Sequence, residues 1–446
     1  MKEYPYWWDT VPALRAGNLE LKTENLELRT ENLELKTENL ELGSGRRYDA
    51  VILGAGYTGL AAARHLARAG ASVVVLERGH VAFGASSRNG GQVLTGLKLD
   101  PHTLVARYGE TRARSLFDVA RESIARLEAL VSEESIACEY ERTGHIQAAW
   151  KPAHFDRFRK DQALLARVFD HRVELVSESE QRRELGSSAY HGLLVDEHSG
   201  SLNPARYAYG LAAAARRAGA CLVTGTEVTS IGRDGDSHHI ETSAGVVRAQ
   251  DVLVATNGYT DRAAPALQRR LVPIGSYIVA TAPLSVAAAA SVLPKRRVAF
   301  DSKNFLYYFR VTSDRRLLFG GRAEFRQPDA NATRRAAAIL RAGIAKIFPE
   351  LANEQIEYSW GGNVAFTRDQ LPHAGKLDGM YFAGGYCGHG VAMATYLGEL
   401  VARRMAGEPI DHPLVADRFP AIPFYSGRPW FLPLVGAYYK VKDWLQ

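Results

Sequence analysis

Three glycines near the start of the chain have the spacing of a phosphate-binding turn. Gly54, Gly56 and Gly59 follow the apolar run AVILG, and a later apolar run, SVVVLE, ends at Glu77. In such a GxGxxG pattern, the first glycine permits a tight turn, the second admits a pyrophosphate, and the third lets a helix pack against a strand. The helix N-terminus then faces the phosphates, and the acid can accept a hydrogen bond from a ribose hydroxyl. The pattern therefore predicts a dinucleotide site.

A second glycine-rich stretch, GHVAFGASSRNGGQ, follows Glu77 almost directly. A loop of this composition can direct backbone N–H groups at a second phosphate and at a flavin ring, with Arg88 against the phosphate charge. The first motif suits NAD or FAD, and this loop favours FAD. The residues of the loop that we assign to cofactor binding are Ser86, Ser87, Arg88, Asn89, Gly90, Gly91 and Gln92.

These motifs require a particular order of secondary structure around them. AVILG predicts a strand, LAAARHLARAG a helix and SVVVLE a second strand, which together form a βαβ unit. Farther along, residues 271–284 and 304–325 are rich in Tyr, Val, Ile and Phe, and they predict β-strands with a turn at TSDRR.

The polar side chains of these later strands are candidates for contact with a substrate. Alternation along a strand places Tyr308 and Arg310 on one face and Tyr307 on the other, and Arg322 follows on the next strand. An arginine can bind a carboxylate with two hydrogen bonds. We therefore take Tyr308 and Arg310 as candidate catalytic residues, while the alternative that half of this set faces solvent stays open.

A glycine-rich turn, GGYCGHG, precedes a long helical pattern near residue 390. Gly388, His389 and Gly390 would lie at the helix N-terminus, whose dipole stabilises negative charge on a reduced flavin. His389 is either a third catalytic candidate, which also contacts the flavin, or a histidine that only hydrogen-bonds the turn.

Several segments between Tyr48 and Leu445 together resemble one enzyme family. GASSRNGGQ after a βαβ unit ending in Glu, DVLVATNGYT, YSWGGNVAFTRDQLPHAG and MYFAGGYCGHGVAMATYLGELVA are similar to motifs of the FAD-dependent D-amino-acid oxidase/sarcosine oxidase superfamily. With YPYWWDT near the start and PFYSGRPWFLPLVGAYYKVKDWL at the end, the pattern resembles its gamma-glutamylputrescine oxidoreductase-like branch.

The resemblance implies an α/β fold with a Rossmann-like FAD-binding domain of the GR2 type, interrupted by an α+β substrate domain built on an antiparallel sheet. The implied FAD-binding parts are residues 46–140, 197–262 and 357–410, and the substrate parts are 141–196 and 263–356. Residues 1–45 form an N-terminal segment, and 411–446 form a C-terminal tail.

The resemblance also extends the set of residues expected to bind FAD. Several relatives attach FAD covalently through a cysteine, one of them from the segment just before the T-x-D motif. This chain has Gly361, Gly362 and Asn363 there, so we expect non-covalent FAD, and packing explains Cys387 better than a bond does. The further expected contacts are Tyr57, Thr58, Arg78, Val228, Ala255, Thr256, Asn257, Gly258, Trp360, Gly385 and Val391.

The reaction implied by the resemblance is oxidation of the C–N bond of an amine or amino acid, such as a gamma-glutamylputrescine-like substrate. Hydride passes from the α-carbon to flavin N5, and the imine hydrolyses to an aldehyde or oxo acid, with H2O2 formed if oxygen is the acceptor. The strand RRLLFGG lacks the lysine that helps oxygen react in relatives. Two alternatives stay open: a dehydrogenase that reduces a quinone or a carrier protein, and a non-catalytic flavin-binding module that recruits partners.

Composition narrows the class of protein. The chain has 446 residues, 46% of them hydrophobic, and a net charge of +6, with no run long and apolar enough to cross a membrane and no signal-peptide pattern. Its three cysteines lack CxxC spacing, so we expect neither a disulfide framework nor a metal site. The basic residues are spread along the chain, which disfavours nucleic acid. We expect a cytoplasmic enzyme with a small-molecule substrate, and the oligomeric state stays open.

A seven-residue repeat fills residues 18–42. Its leucines alternate by two and five positions, whereas a coiled-coil seam needs alternation by three and four. In a strand, the odd period would turn successive leucine pairs to opposite faces. We interpret the repeat as a low-complexity insert without a chemical role; the alternative is an oligomerisation segment.

Overall fold

The computed structural model describes residues 1–14, 47–321 and 328–445. The repeat at 18–42 and Arg322 lie outside the described residues. Within these ranges, the strands are β1 Arg47–Leu53, β2 Val73–Leu76, β3 Gln92–Val93, β4 His145–Ala148, β5 Glu174–Val176, β6 Leu193–Asp196, β7 Gly200–Ser201, β8 Cys221–Val223, β9 Val228–Asp234, β10 Ser237–Thr242, β11 Gly245–Val254, β12 Val272–Thr281, β13 Val298–Asp301, β14 Tyr307–Val311, β15 Leu317–Gly321, β16 Ile356–Phe366, β17 His373–Leu377 and β18 Met380–Gly384.

The helices of the same ranges lie between and after groups of these strands. They are α1 Tyr57–Arg68, α2 Ala85–Arg88, α3 Pro101–Glu133, α4 Pro152–Phe169, α5 Pro204–Arg217, α6 Pro265–Gln268, α7 Val286–Val292, α8 Ala330–Ile347, α9 Gly390–Met405 and α10 Leu432–Leu445. None of the helices in the described part is long and apolar enough to cross a membrane.

The first sheet carries the predicted dinucleotide motif. Its strand order is β17-β18-β11-β1-β2-β8, and β1 pairs in parallel with both β2 and β11. Strand β1 is buried from Ala50 to Leu53 because its apolar run lies at the centre of the sheet. Helix α1 packs against α5 and α9, and its Leu60 and Leu66 are buried in the same core. The βαβ unit predicted from the sequence is therefore confirmed.

The second sheet is mostly antiparallel, with the order β16-β12-β15-β14-β13-β4-β6-β5. The two strands predicted around the TSDRR turn are β14 and β15, which pair antiparallel. Helix α8 packs on the side of this sheet that carries Phe309 and Phe319. The predicted α/β class, with an antiparallel second sheet, is confirmed.

The predicted division into domains remains a proposal, and strand pairing bears on one of its boundaries. Residues 357–410 were expected in the FAD-binding part, but β16 pairs antiparallel with β12 from Val272 to Thr281. Strand β17 is the first element after β16 to join the first sheet. We therefore propose that the last boundary lies between β16 and β17.

Candidate active site

A cavity of about 950 Å³ lies between the two sheets. One part of its wall comes from the turn after β1, the loop around α2 and the N-terminus of α9. The opposite part comes from β12, β14 and the loop between β13 and β14. The predicted cofactor residues that line the cavity are Gly54, Gly56, Tyr57, Thr58, Glu77, Arg78, Ser86, Arg88, Asn89, Gly90, Gln92, Val228, Ala255, Thr256, Asn257, Gly388, His389, Gly390 and Val391.

The glycine turn after β1 has the geometry that its spacing predicts. Gly54 has φ +100°, a conformation that glycine adopts without strain. A Cβ on Gly59 would lie 2.0 Å from the carbonyl oxygen of Gly54, and one on Gly56 would lie 2.9 Å from Ser86 Oγ. The turn therefore brings α1 close to β1 and keeps its cavity side free of side-chain atoms.

Glu77 lies at the end of β2 and lines the cavity. Its carboxylate accepts hydrogen bonds from the backbone N–H groups of Ala55, at 2.9 Å, and Gly79, at 2.8 Å. These bonds hold the glycine turn and the loop after β2 in one arrangement, with a carboxylate available at the cavity wall.

The loop around α2 is stabilised by its own polar side chains. Asn89 Nδ2 donates to the carbonyl oxygens of Ala85 and Ser86, while its Oδ1 accepts from the Gly91 N–H at 2.8 Å. Ser86 Oγ accepts from the Tyr57 N–H at 3.0 Å, which ties the loop to the start of α1. Several residues predicted to contact the cofactor thus also shape the loop itself.

Arg88 differs from its predicted role as a partner of phosphate. Its Nε donates to the carbonyl oxygen of Phe83 at 2.8 Å, and its Nη1 donates to that of Gly361 at 3.1 Å. The guanidinium also lies 4.8 Å from the ring centroids of Trp8 and Phe83. Burial lowers the pKa of Arg88 from its usual value. Arg88 therefore connects the loop to its surroundings.

Three tryptophan indoles hold three successive residues of this loop. Trp8 donates to Ser87 Oγ at 2.9 Å, Trp360 to the carbonyl oxygen of Arg88 at 2.8 Å, and Trp7 to that of Asn89 at 2.9 Å. Trp7 and Trp8 belong to a short 3-10 helix, Tyr6–Thr10, that is buried against the loop. The aromatic density of YPYWWDT was the sequence signal for this contact, but the pattern did not identify the loop it supports.

The turn before α9 also opens onto the cavity. His389 is the residue that precedes the first turn of α9, and its N–H donates to the Tyr386 carbonyl oxygen at 2.9 Å. Tyr386 forms a 2.6 Å hydrogen bond with Thr58, so the N-termini of α1 and α9 are linked. Two helix N-termini directed at one cavity form a favourable environment for negatively charged groups.

The cavity wall also contains a polar atom that a bound molecule could satisfy. Asn363 donates its N–H to the Tyr259 hydroxyl and its Nδ2 to the Gly258 carbonyl oxygen, at 3.2 and 3.3 Å. Its Oδ1 is buried and accepts no hydrogen bond in the described part of the chain. Since buried acceptors are almost always paired, this atom fits a ligand that donates here. With the glycine turn and the two helix termini, the residues present fit a dinucleotide.

The model of the family described as FAD-dependent oxidoreductase matches residues 49–404. The chain belongs to this family. The prediction of FAD as cofactor and of membership in the D-amino-acid oxidase group is therefore confirmed. A gamma-glutamylputrescine oxidoreductase from Escherichia coli strain K12 is 33% identical over 406 residues, which cover 89% of this chain and 92% of that protein.

Other relatives of this FAD-dependent oxidoreductase include a glycine oxidase. The enzyme from Geobacillus kaustophilus strain HTA426 is 26% identical over 374 residues, which cover 80% of this chain and 92% of that protein. The crystal structure of glycine oxidase from Geobacillus kaustophilus aligns with a TM-score of 0.69 at 23% identity, covering 86% of this chain and 99% of that chain. The structural similarity confirms the fold.

On the side of the cavity formed by the second sheet of this FAD-dependent oxidoreductase, Tyr308 lines the wall. Its hydroxyl forms a 3.0 Å hydrogen bond with Ser276 on β12, which also lines the cavity. The Tyr308 ring crosses β15 at Gly320, where a Cβ would lie 2.3 Å from the ring. Gly320 thus provides the space that the Tyr308 ring occupies against β15.

Arg310 corrects the sequence prediction. It lies on the same side of β14 as Tyr308 but does not line the cavity. Its Nη1 donates to the carbonyl oxygens of Gly91, at 3.0 Å, and Leu202, at 2.8 Å. Burial lowers the pKa of Arg310 to about 10. The guanidinium supports the loop around α2 from behind, so we withdraw its predicted contact with substrate.

Six predicted cofactor residues, Gly59 among them, lie behind the cavity wall. The Cβ position of Gly91 would be 2.1 Å from the carbonyl oxygen of Leu202, so close backbone packing explains this glycine. The Gly385 N–H donates to Asn257 Oδ1 at 2.9 Å. The residues that do not line the cavity are Gly59, Ser87, Gly91, Gly258, Trp360 and Gly385. We interpret them as support for residues that do.

A charged pair that the sequence analysis missed lies on the side of the cavity formed by the second sheet. Asp301 ends β13, and Lys303 Nζ lies 3.0 Å from its Oδ2. The same ammonium lies 4.0 Å from the Trp150 ring centroid and 3.8 Å from that of Tyr307. Burial raises the pKa of Asp301 to about 6, although Lys303 opposes the shift. Asp301, Lys303 and Trp150 line the cavity.

A second polar cluster lies at another part of the cavity wall. Asp196 Oδ2 accepts from Thr95 Oγ1 at 2.6 Å and pairs with His171 Nε2 at 2.7 Å. Burial alone would raise the pKa of Asp196, but hydrogen bonds from His171 and His198 hold it well below its usual range. The ligand atoms of the two histidines and the aspartate lie within 4.8 Å of one another, a spacing that these hydrogen bonds explain.

Strand β16 of the second sheet and the turn before α9 bear on covalent attachment of FAD. Gly361, Gly362 and Asn363 lie on β16, and Gly362 and Asn363 line the cavity without a thiol. Cys387 lines the cavity but is buried, with its Sγ 3.2 Å from the Gly385 carbonyl oxygen. Burial raises the pKa of its thiol to about 11. The thiol is therefore protonated at neutral pH, which disfavours bond formation to a flavin.

Proposed function

We propose that the chain oxidises the C–N bond of an amine or amino acid and yields an imine that hydrolyses to an aldehyde or oxo acid. The observation that carries the proposal is the single cavity shared by the FAD-binding turns and the polar wall of the second sheet. The similarity to the gamma-glutamylputrescine oxidoreductase supports an amine as substrate. FAD, when bound, supplies the acceptor for the hydride that leaves the carbon next to nitrogen.

The residues in the proposed FAD half have distinct tasks. Glu77 is proposed to accept a hydrogen bond from a ribose hydroxyl, while the N-termini of α1 and α9 offer backbone N–H groups to negatively charged groups. His389 is proposed to contact the cofactor beside the α9 terminus, with its catalytic role an open part of the proposal.

The substrate wall is proposed to orient the amine. The hydroxyl oxygens of Tyr308 and Ser276 can accept a hydrogen bond from the N–H of a neutral amine, which leaves the nitrogen lone pair free as hydride departs. Lys303 is proposed to bind a carboxylate of the substrate, because Asp301 and two aromatic rings fix its ammonium at the cavity wall. This role replaces the one first assigned to Arg310.

Reduction of the flavin without oxygen tests the proposal directly. Purified holoprotein would be mixed anaerobically with γ-glutamylated amines, polyamines, sarcosine, glycine and D-amino acids, and loss of the yellow absorbance would be recorded. We expect bleaching by at least one amine class. A protein that retains FAD and is bleached by none of them would contradict the proposal.

A matched pair of lysine variants tests substrate orientation. Lys303→Met should raise the half-saturating concentration of a carboxylate-bearing amine and leave that of a carboxylate-free amine nearly unchanged. Lys346→Met is the control, because Lys346 Nζ lies 4.6 Å from the same Trp150 ring but does not line the cavity. Equal effects of both variants would contradict the role of Lys303.

The electron acceptor forms a separate part of the proposal. Strand β15, Leu317–Gly321, contains no lysine, so the help that such a residue gives to oxygen in relatives is missing from this strand. We propose oxygen or a quinone-like compound as acceptor. Reoxidation rates of substrate-reduced protein with each compound would distinguish an oxidase from a dehydrogenase.

A further inference from the structure

The C-terminal helix exposes a stripe of large apolar side chains. Trp430, Leu434, Tyr438 and Val441 have relative exposures of 65%, 69%, 62% and 55%. Leu434, Tyr438 and Val441 follow one another by four and three positions, so they form one face of α10. Phe424, just before the helix, is 93% exposed. Contiguous exposed apolar residues of this kind mark an interaction site.

The opposite face of α10 is already used by the protein. Leu432, Val435 and Tyr439 line the cavity, and Leu432 is buried beside Val272 and Ile274 of β12. A surface helix of a globular protein needs one apolar face for the core. Packing against the cavity thus explains the inner residues and leaves the outer stripe without an internal role.

Positive charge lies at the end of the exposed stripe that precedes α10. Arg428, two residues before Trp430, and Arg269 are exposed, and neither forms an ion pair with a carboxylate of the described residues. Arg269 is adjacent to this region because its carbonyl oxygen accepts from the Ile422 N–H at 3.0 Å. This end of the stripe is therefore basic.

We propose that the outer face of α10 docks on an anionic lipid surface, with the helix lying in the plane of the membrane interface. Tryptophan, tyrosine and aliphatic side chains beside unpaired arginines match the acyl boundary and phosphate groups of such a surface. A protein partner would instead have to present to this helix an apolar groove with an acidic rim of its own. The proposal concerns this surface alone and does not depend on the proposed reaction.

Vesicle flotation of the full-chain holoprotein tests the docking surface. Vesicles of phosphatidylcholine with one-third phosphatidylglycerol would be compared with vesicles of phosphatidylcholine alone at low salt. We expect more protein to float with the anionic vesicles. Arg428→Gln should lower the partition coefficient about fivefold, since one basic residue near an anionic surface contributes about 1 kcal/mol.

Apolar variants separate the stripe from general stickiness. The double variant Leu434→Glu/Tyr438→Glu should reduce flotation at least tenfold. Val286→Glu is the matched control, because Val286 is 72% exposed but belongs to α7, outside the stripe. FAD content and elution volume, recorded for every variant, would show that each protein is folded, and the control should float like the parent.

Three results would overturn the proposal. The first is no flotation with anionic vesicles at low salt, and the second is equal loss of flotation in the double variant and in Val286→Glu. The third is a smaller assembly for the double variant by light scattering in a protein that does not bind vesicles, because the stripe would then be a contact between copies of this chain.

Discussion

Replacing Arg310 by methionine removes a buried cation that supports the loop around α2 from the side opposite the cavity. Two hydrogen bonds from Nη1, to the carbonyl oxygens of Gly91 and Leu202, are lost. Bonds from a charged donor contribute about 1.5–3 kcal/mol each. The lowered pKa of Arg310, about 10, shows that burying the cation opposes this gain. We therefore expect a net loss of about 2 kcal/mol in the free energy of unfolding.

The loop that Arg310 supports contributes Asn89, Gly90 and Gln92 to the cavity wall, so the loss should also weaken FAD binding. A tenfold rise in the FAD dissociation constant, about 1.4 kcal/mol, is expected on titration of apoprotein with FAD. Arg316→Met is the control, since Arg316 pairs with Asp314 at 2.8 Å in the turn between β14 and β15. It should lower stability without a comparable change in FAD affinity.

The opposite pattern would refute this reasoning. If Arg310→Met left the FAD dissociation constant unchanged and raised only the amine concentration needed for half-maximal flavin bleaching, Arg310 would contact substrate. The original sequence prediction would then stand, and the hydrogen bonds to Gly91 and Leu202 would not describe the working enzyme.

The remaining predictions concern cofactor binding, pH and the repeat. Glu77→Ala should raise the FAD dissociation constant roughly 10- to 100-fold, from the loss of a charged acceptor; an unchanged constant would place the ribose acceptor elsewhere. Acid precipitation should release all FAD because the buried Cys387 is protonated, whereas a yellow pellet would show covalent attachment. The pKa of Asp301, about 6, exceeds the usual 3.8, so its contribution to stability is present below pH 4 and lost as pH rises through 6. Asp301→Asn should remove this decline of about 3 kcal/mol in urea unfolding, and an unaltered decline would contradict it. Replacing residues 18–42 by a Gly/Ser linker of equal length should leave FAD content and bleaching per flavin unchanged, and light scattering would reveal any role in assembly; loss of FAD would show that the repeat packs on the catalytic body.

The sequence predicted the βαβ unit and its glycine turn because their requirements are local. Gly54 has a positive φ, and a Cβ on Gly59 would lie only 2.0 Å from the Gly54 carbonyl oxygen. Both positions therefore require glycine at a fixed spacing, independently of the rest of the chain. The alternation along β14 likewise predicted correctly that Tyr308 and Arg310 share a side. Such geometric constraints act within a few residues and are visible in the letters.

The supports of the site could not be predicted because they join distant segments. Trp7 and Trp360 hold neighbouring residues of one loop, yet their partners are 82 and 272 positions away along the chain. Arg310 donates to Leu202, 108 positions away along the chain. This contact could not be predicted from the sequence, and we therefore expected Arg310 to bind substrate. Lys303 was missed because an Asp-x-Lys sequence is common, and only the folded loop places it between two rings.

The pairing of the first residues with β16 has a consequence for the order in which contacts form during translation. Lys2 N–H donates to the Glu357 carbonyl oxygen, and its ammonium bonds the Tyr358 hydroxyl across 356 positions. At about 5–20 residues per second, the ribosome needs roughly 20 to 70 seconds to make that partner. During that interval, the segment that carries Trp7 and Trp8 lacks the strand with which its first residues pair. The loop around α2 therefore has all three of its tryptophan hydrogen bonds only after β16 has emerged, late in translation.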